Sequence, residues 1–380
     1  MNNIDELERH LDLLNEVLNS DNESDANEDE LYERRIEVRR RMVPFYRQRA
    51  DIFDLFDDNQ IYKVFRFDKA SIWYIEGLIS NKLGRKLFGR RCLLPIEQIL
   101  VSLQFYANGT FQSTVGNVLK ISQPSVSRCV RDVSNALCEI SSDHIFFPAN
   151  LLEIQRGFTE IANLRGVVGS VDGTHIRIAR PHHDEEIYVN RKGYHSINVQ
   201  GICDAECNFL SVSASKPGSS HDSNVFADSV IGRAFKNNEF GQSYLLGDSG
   251  YACTPFLLTP YSQPEGRAEE RFNTAHKNTR NTIERIFGTV KRRFHCLHGE
   301  IRLQPGRTCR VIMACCVLHN IARKRNQPDF DEGVEEGEVF EIRMPPENND
   351  VNENVNQEKL RLRREGFAKR QRITLNQFTY

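Results

Sequence analysis

The chain is short of several things that would settle its class at once. It has one Trp and four Met in 380 residues, and no uninterrupted apolar run approaches the about 18 residues that a membrane-spanning helix needs. With 27% charged residues and a mean hydropathy of -0.51, no segment reads as a membrane span. The first residues, MNNIDELERHLDLLNEVLNSDNESD, supply neither a basic n-region nor an apolar h-region, so no secretory signal is expected. The ten Cys include no Cys-x-x-Cys pair, which argues against a zinc ribbon. Their irregular spacing suits thiols in a reducing compartment rather than a disulfide framework. No internal repeat at solenoid periods is present. Nor is there an excess of charge of one sign: 50 Lys+Arg face 52 Asp+Glu, a formal net charge of -2.

That balance conceals blocks. Residues 1–30 hold eleven acids and one Arg, and residues 31–50 hold seven Arg and two Glu. Residues 265–325 carry fourteen Lys/Arg against five acids. Residues 326–358 return to eleven acids and one Arg, and KLRLRREGFAKRQR at 359–372 has seven Lys/Arg and one Glu. The acidic stretches are too poor in apolar residues to offset the entropy of ordering. We therefore expect an acidic then basic extension over 1–44 and a tail over 326–380, both largely disordered. The basic cluster in the tail suits a nuclear-import signal or a phosphate-binding arm, and equally a solvated helix face.

Between 45 and 150 the pattern is helical. IYKVFRFDKASIWYIEGLI spaces its apolar residues for a helix, and LPIEQILVSLQFYANGT has Pro near its start and Asn-Gly at its end. TFQSTVGNVLKI and SQPSVSRCVRDVSNALCEI follow, an arrangement resembling a helix-turn-helix. In it Ser122 would cap the last helix, and Gln123, Ser125, Ser127, Arg128 and Arg131 would offer polar and basic groups to DNA. An ordinary helical bundle fits the same residues. From 165 to 325 the texture is α/β: strands in VVGSVDGTHIRIA, SINVQGICDAE, NFLSVSASKPG and QSYLLGDSGY, a helix starting near Asp222 between the third and fourth, and two long helices, the first basic, after residue 265.

Three acids are placed where a strand or helix would present them: Asp172 in GSVDGTH, Asp248 in LLGDSGY and Glu284 in NTIERIFG. A carboxylate within an apolar strand is costly unless paired or metal-bound. Each also has an ordinary reading: Asp172 on a half-exposed strand, Asp248 as a turn residue, Glu284 as a helix-surface acid beside Arg280 and Arg285. For Asp222, in GSSHDSNVF, helix capping and ligation are both open. As a set, these hard oxygen donors suit divalent Mg or Mn, and two such ions would activate a water or a 3′-hydroxyl in phosphodiester chemistry. The basic stretch Arg280, Arg285, Lys291, Arg292 and Arg293 would then hold DNA phosphates.

VDGTHIRI, SINVQGICD, GSSHDSNVF, LLGDSGY, NTIERIFGTVKRRF and VLHNIA, with the upstream LVSLQFYANGTFQSTVGNVLKISQPSVSRCV, resemble in sequence and in order the PIF/Harbinger transposase superfamily and its domesticated nuclease branch. The likeness runs from about 60 to 325. It implies an RNase H-like mixed-sheet nuclease domain with a DDE triad falling on Asp172, Asp248 and Glu284, and a further divalent-metal ligand at Asp222. It also implies a nuclear DNA endonuclease, with the cytoplasm left open as a second location, that works with a separate Myb/SANT-like DNA-binding protein. No carboxylate of the set is replaced.

Other groupings are weaker. Cys203 and Cys207 near His195, and His295, Cys296 and His298, hint at zinc, but a hairpin turn explains the first pair better. Ser219, His221 and Asp222 are too close in sequence to form a hydrolytic triad, and no nucleophile elbow is present. His175 on the Asp172 strand is open to contact with substrate, but a satisfied strand histidine suits it better. The resulting expectation is a two-metal DNA endonuclease behind a helix-turn-helix-like region. The competing expectation is a domesticated DNA-binding or scaffold protein in which cleavage no longer matters.

Overall fold

A computed structural model describes residues 52–83, 93–330 and 353–379. The predicted extension over 1–44 lies outside them, as do residues 331–352 of the tail.

The longer helices of the first half are α1 (Asp58–Phe65), α2 (Lys69–Ile79), α3 (Pro95–Asn108), α4 (Gln112–Leu119) and α5 (Gln123–Glu139). The local signals explain their bounds. Asp57 caps α1 by accepting from the Gln60 amide at 2.7 Å, and Pro95 opens α3, where a missing N–H costs nothing. Helix α3 stops at Gly109, whose φ of +62° suits glycine, and a Cβ there would fall 2.8 Å from Cys296 Cα. The turn between α4 and α5 passes through Lys120 at φ 53°. Ser122 stands at the N-cap of α5, but its side chain caps no amide and pairs instead with the Ser125 hydroxyl at 3.0 Å. Pro124 in the first turn already removes one of the orphan donors such a cap would serve.

Next come α6 (Leu152–Ala162), β1 (Val167–Arg177), β2 (Ser196–Cys203) and β3 (Phe209–Pro217). The predicted single helix from Asp222 is two, α7 (Asp222–Asp228) and α8 (Val230–Lys236). Ser229 breaks it by accepting from Gly232 N at 2.9 Å, and Gly232 lies so close under Phe226 O that no side chain would fit. Two short strands, β4 (Tyr244–Leu246) and β5 (Leu257–Leu258), precede α9 (Arg267–Arg293) and α10 (Pro305–Lys324). The sheet runs β3-β2-β1-β4-β5, antiparallel at β3/β2 and β2/β1, and parallel at β1/β4 and β4/β5.

The helical half does not stand apart from the sheet. One apolar cluster joins Ile61, Phe65, Ile99, Leu103, Val126 and Leu137 to Ile197, Val199 and Phe209 of the sheet and to Cys315, Leu318 and Ile321 of α10. A second, on Phe158, Leu164, Val168, Phe235, Leu245 and Phe272, holds β1, β4 and β5 to α6 and α8. Helix α9 spans both, with Phe272 in the second cluster and Ile283, Ile286 and Val290 in the first.

The expectation of a largely disordered tail is corrected over its last part by α11 (Glu353–Phe378), which docks on the sheet edge. Its basic residues act as donors: Lys369 Nζ reaches the Gln242 and Pro255 carbonyls at 2.9 and 2.6 Å, and Arg370 Nη1 those of Thr259 and Pro260 at 3.0 and 2.8 Å. Phe378 is buried edge-on to Phe272. Composition averages miss this because the segment is anchored by few apolar groups and many charge-assisted bonds to loop carbonyls.

Candidate functional site

Three of the four predicted carboxylates line one cleft of about 1240 Å³: Asp172, Asp248 and Glu284. Asp172 is on β1, where Gly173, Thr174 and His175 beside it line the same cleft. It is 4% exposed, so the half-exposed strand reading fails. Asp248 lies two residues past β4, and its Oδ1 accepts from Gly250 N at 3.1 Å. It is thus a turn residue and a cleft residue together. Glu284 projects from the middle of α9 and is exposed.

Asp222 is the first residue of α7, with His221 at the cap position, so it is not the N-cap. Its carboxylate is turned onto the sheet: Oδ1 accepts from Asn198 Nδ2 of β2 at 2.7 Å, and a Cβ on Gly173 would fall 2.4 Å from that same oxygen. A residue with a side chain at 173 would evict Asp222, which gives the glycine after Asp172 a packing reason. Gln200 Nε2 fixes the start of α7 by donating to Asp222 O at 2.9 Å and to the Tyr251 hydroxyl at 3.0 Å. Burial, then the negative charge of Asp222 and Asp172, pushes the Tyr251 phenol well above its ordinary value, so it stays protonated.

Arg280 stands between two of the carboxylates. Nη1 donates to Asp172 Oδ2 at 3.0 Å, and Nη2 contacts Glu284 Oε1 one turn along the helix. Lys291, a further two turns on, donates to Thr174 Oγ1 at 2.8 Å. Among the described residues no three His, Cys, Asp or Glu side chains are close enough to hold a metal ion. The predicted carboxylate cluster is therefore assembled as a shared cleft around a guanidinium.

The predicted DNA-contacting residues separate. Arg280 and Lys291 line the cleft. Arg285 faces a smaller pocket of about 150 Å³ with Cys207, His319 and Arg323, since neighbouring helix positions point about 100° apart. Arg293 is a correction: 1% exposed, it donates to the carbonyls of Arg66 (2.9 Å) and Pro328 (2.5 Å) and cannot meet a phosphate. Arg292, partly buried, is not among the cleft-lining residues. On α5, Arg128 is exposed and bonded to Ser125 at 3.1 Å, and Arg131 pairs with Asp132 at 2.8 Å.

The cleft also contains cations and an aromatic ring that sequence reading passed over, Arg177, Lys192, Tyr194 and Lys277, and it is lined as well by His298, weighed above only for zinc. Arg177 lies 5.3 Å over the Tyr194 ring. For Lys277 a signal existed, because 277, 280, 284 and 291 share one helix face. For Lys192 and Tyr194, in the connection between β1 and β2, none did. His276 forms part of the wall, and burial pushes its imidazole down to about 4, so it is neutral near pH 7.

Similarity to known proteins coincides with this site. The family described as DDE superfamily endonuclease matches residues 171–320, from the residue before Asp172 to α10. The chain is 37% identical over 305 residues to "Putative nuclease HARBI1" of Bos taurus, covering 78% of this chain and 86% of that one. It is 38% identical over 280 residues to the protein of the same name from Homo sapiens, covering 72% and 80%. With "Protein ALP1-like" of Arabidopsis thaliana it shares 27% over 287 residues, 70% of this chain and 71% of that one. No solved structure gives a significant match. The chain belongs to the DDE superfamily endonucleases, in their Harbinger transposase-derived nuclease branch.

Proposed function

We propose that this nuclease hydrolyses DNA phosphodiester bonds with the help of divalent Mg or Mn held by Asp172, Asp248 and Glu284, with Asp222 as a further ligand. The observation that carries the reading is one cleft that brings Asp172, Asp248 and Glu284, from three separated stretches of chain, together with Lys277, Arg280 and Lys291. The chemistry of the donors suits a hard divalent cation, since the oxygens are all carboxylate and two of the groups already share a cation, the Arg280 guanidinium, which a bound ion would have to replace. When bound, such cations lower the pKa of water and stabilise a leaving oxygen.

The chain's own residues do the rest. Lys277 and Lys291 on one face of α9, with Arg177 and Lys192 also lining the cleft, would take the phosphates on either side of the scissile bond. Asn198 aims the Asp222 carboxylate, and Gln200 anchors the backbone beneath it. Neutral His276 leaves the cleft wall without an added charge. The strand order 3-2-1-4-5, with only β2 antiparallel to the rest, supports the RNase H-like reading of the sheet. The α4–turn–α5 unit, with exposed Arg128, supports a helix-turn-helix role in holding flanking DNA. We place the activity in the nucleus, assisted by a Myb/SANT-like partner. Arg361, Arg363 and Arg364 on the exposed side of α11 remain available as an import signal.

The test is nicking of duplex DNA by the purified full chain in Mg²⁺ or Mn²⁺, with and without that partner, against Asp248→Ala. Nicking that needs both the cation and Asp248 is the expected result. DNA binding without nicking or Mn²⁺ binding would favour the scaffold alternative.

A further inference from the structure

Resting on the metal-dependent reading above, one side chain in the cleft has a second consequence. The Arg280 side chain is 17% exposed, and its two terminal nitrogens reach apart, one to Asp172 Oδ2 of β1 and the other to Glu284 Oε1 of its own helix. The Asp172 side chain is 6% exposed. Two carboxylates facing one cleft repel each other, and a buried one is expensive to keep charged without a counter-ion. The guanidinium meets both needs with a single rigid fork, which a lysine ammonium, a point charge on a flexible stem, does less well.

A divalent cation drawing on Asp172 and Glu284 requires the lone pairs that these N–H groups now use. It also brings a second positive charge against the one already there. The two occupants exclude each other at Oδ2 and Oε1.

We propose that Arg280 is a positioning residue that acts as an internal counter-ion: it holds Asp172 and Glu284 in place while no cation is bound, and it competes with the cation for their oxygens. The carboxylates are kept ready, and cation affinity is reduced by the cost of displacing the guanidinium. The device sets a threshold concentration. It also favours doubly charged ions, since a monovalent ion would replace one positive charge with another and gain little.

The experiment is calorimetric titration of the full chain with MnCl₂ in the absence of DNA, for the unaltered protein, Arg280→Gln and Arg280→Lys, with Asp172→Asn as the control that removes a ligand. Thermal melts of each variant confirm folding. Arg280→Gln is expected to bind Mn²⁺ roughly tenfold more tightly than the unaltered protein, within the usual range of site-to-site coupling. Arg280→Lys is expected between the two, and it carries the test should the Gln variant fail to fold. A merely structural arginine would not tighten cation binding on removal. Equal or weaker Mn²⁺ affinity in both variants, with binding still abolished by Asp172→Asn, overturns the counter-ion and leaves the metal site standing. No Mn²⁺ binding in any form overturns both.

Discussion

Lys291 and Arg293 are two residues apart on one basic helix, and by composition they are the same kind of residue. Geometry gives them opposite work. Lys291 reaches across the cleft to Thr174, whereas Arg293 is sealed in the core, spanning the carbonyls of Arg66 and Pro328 and lying 5.9 Å from the Phe67 ring centroid. Its Nε has no hydrogen-bond partner, and burial pushes the group's pKa down. Lys291→Ala should reduce the dependence of log K on log salt for duplex DNA by about one phosphate contact, roughly 0.9, with little change in stability. Arg293→Ala should leave that slope unchanged and lower unfolding free energy by about 2–4 kcal/mol, because the buried Arg66 carbonyl loses its charged donor and the core loses a large, fully buried side chain. DNA binding at several salt concentrations and urea denaturation of both variants check the pair. A third residue, Asn198, belongs at this scale. Asn198→Ala removes donors to Asp222 Oδ1 and Ser220 O. A drop in nicking of about 10–100-fold is expected, as for other groups that orient a metal ligand, and single-turnover rates at saturating Mn²⁺ measure it.

At the scale of elements, the legible parts are those in which local sequence and tertiary role agree. The alternating and apolar runs of β1, β2 and β3 and the caps of α3 could be read directly, and Asp172, Asp248 and Glu284 stood out because charge in such segments needs a reason. The two-residue β5 was invisible, since Leu257 and Leu258 become a strand only by pairing with Leu245 and Leu246. Helix α11 was misread because its composition is that of a solvated tail, and only the carbonyls exposed by the loops at 242, 255, 259 and 260 give its cations something to hold. Its docking also depends on close approach. A Cβ on Gly366 would fall 2.6 Å from Cys253 O and Thr254 Cα, both backbone atoms that cannot yield cheaply. Gly366→Val should therefore release α11 while sparing the sheet. Hydrogen exchange is expected to quicken across 357–378 and stay slow in β1 and β2. Unchanged protection in 357–378 would mean the helix is held by its ends, not at this crossing.

For the whole molecule, the two apolar clusters meet across the sheet, and each has a histidine buried within it. His276, on the α9 surface against β5, donates to Leu258 O at 3.2 Å, and His319, in α10, donates to Cys207 O at 2.9 Å. Burial pushes both down to about 4. His144 is shifted in the same direction, again first by burial. In the unfolded chain these imidazoles return to an ordinary pKa near 6.5. Between pH 6.5 and 4 the unfolded state therefore binds more protons than the folded one, and stability must rise with pH across that window. Read downward, the stabilisation is complete above pH 6.5 and drains away as pH falls toward 4, by as much as about 3 kcal/mol for each of the two deeply buried groups. The loss is global, because the two histidines sit in different clusters joined by α9, so one cooperative transition should report both. Urea midpoints measured from pH 7 to pH 4.5 are expected to fall with a slope approaching two protons. His319→Gln, whose amide can still donate to the Cys207 carbonyl, should be less stable at pH 7 yet lose about one proton from that slope. An unaltered slope in His319→Gln would assign the acid sensitivity to His276 and His144.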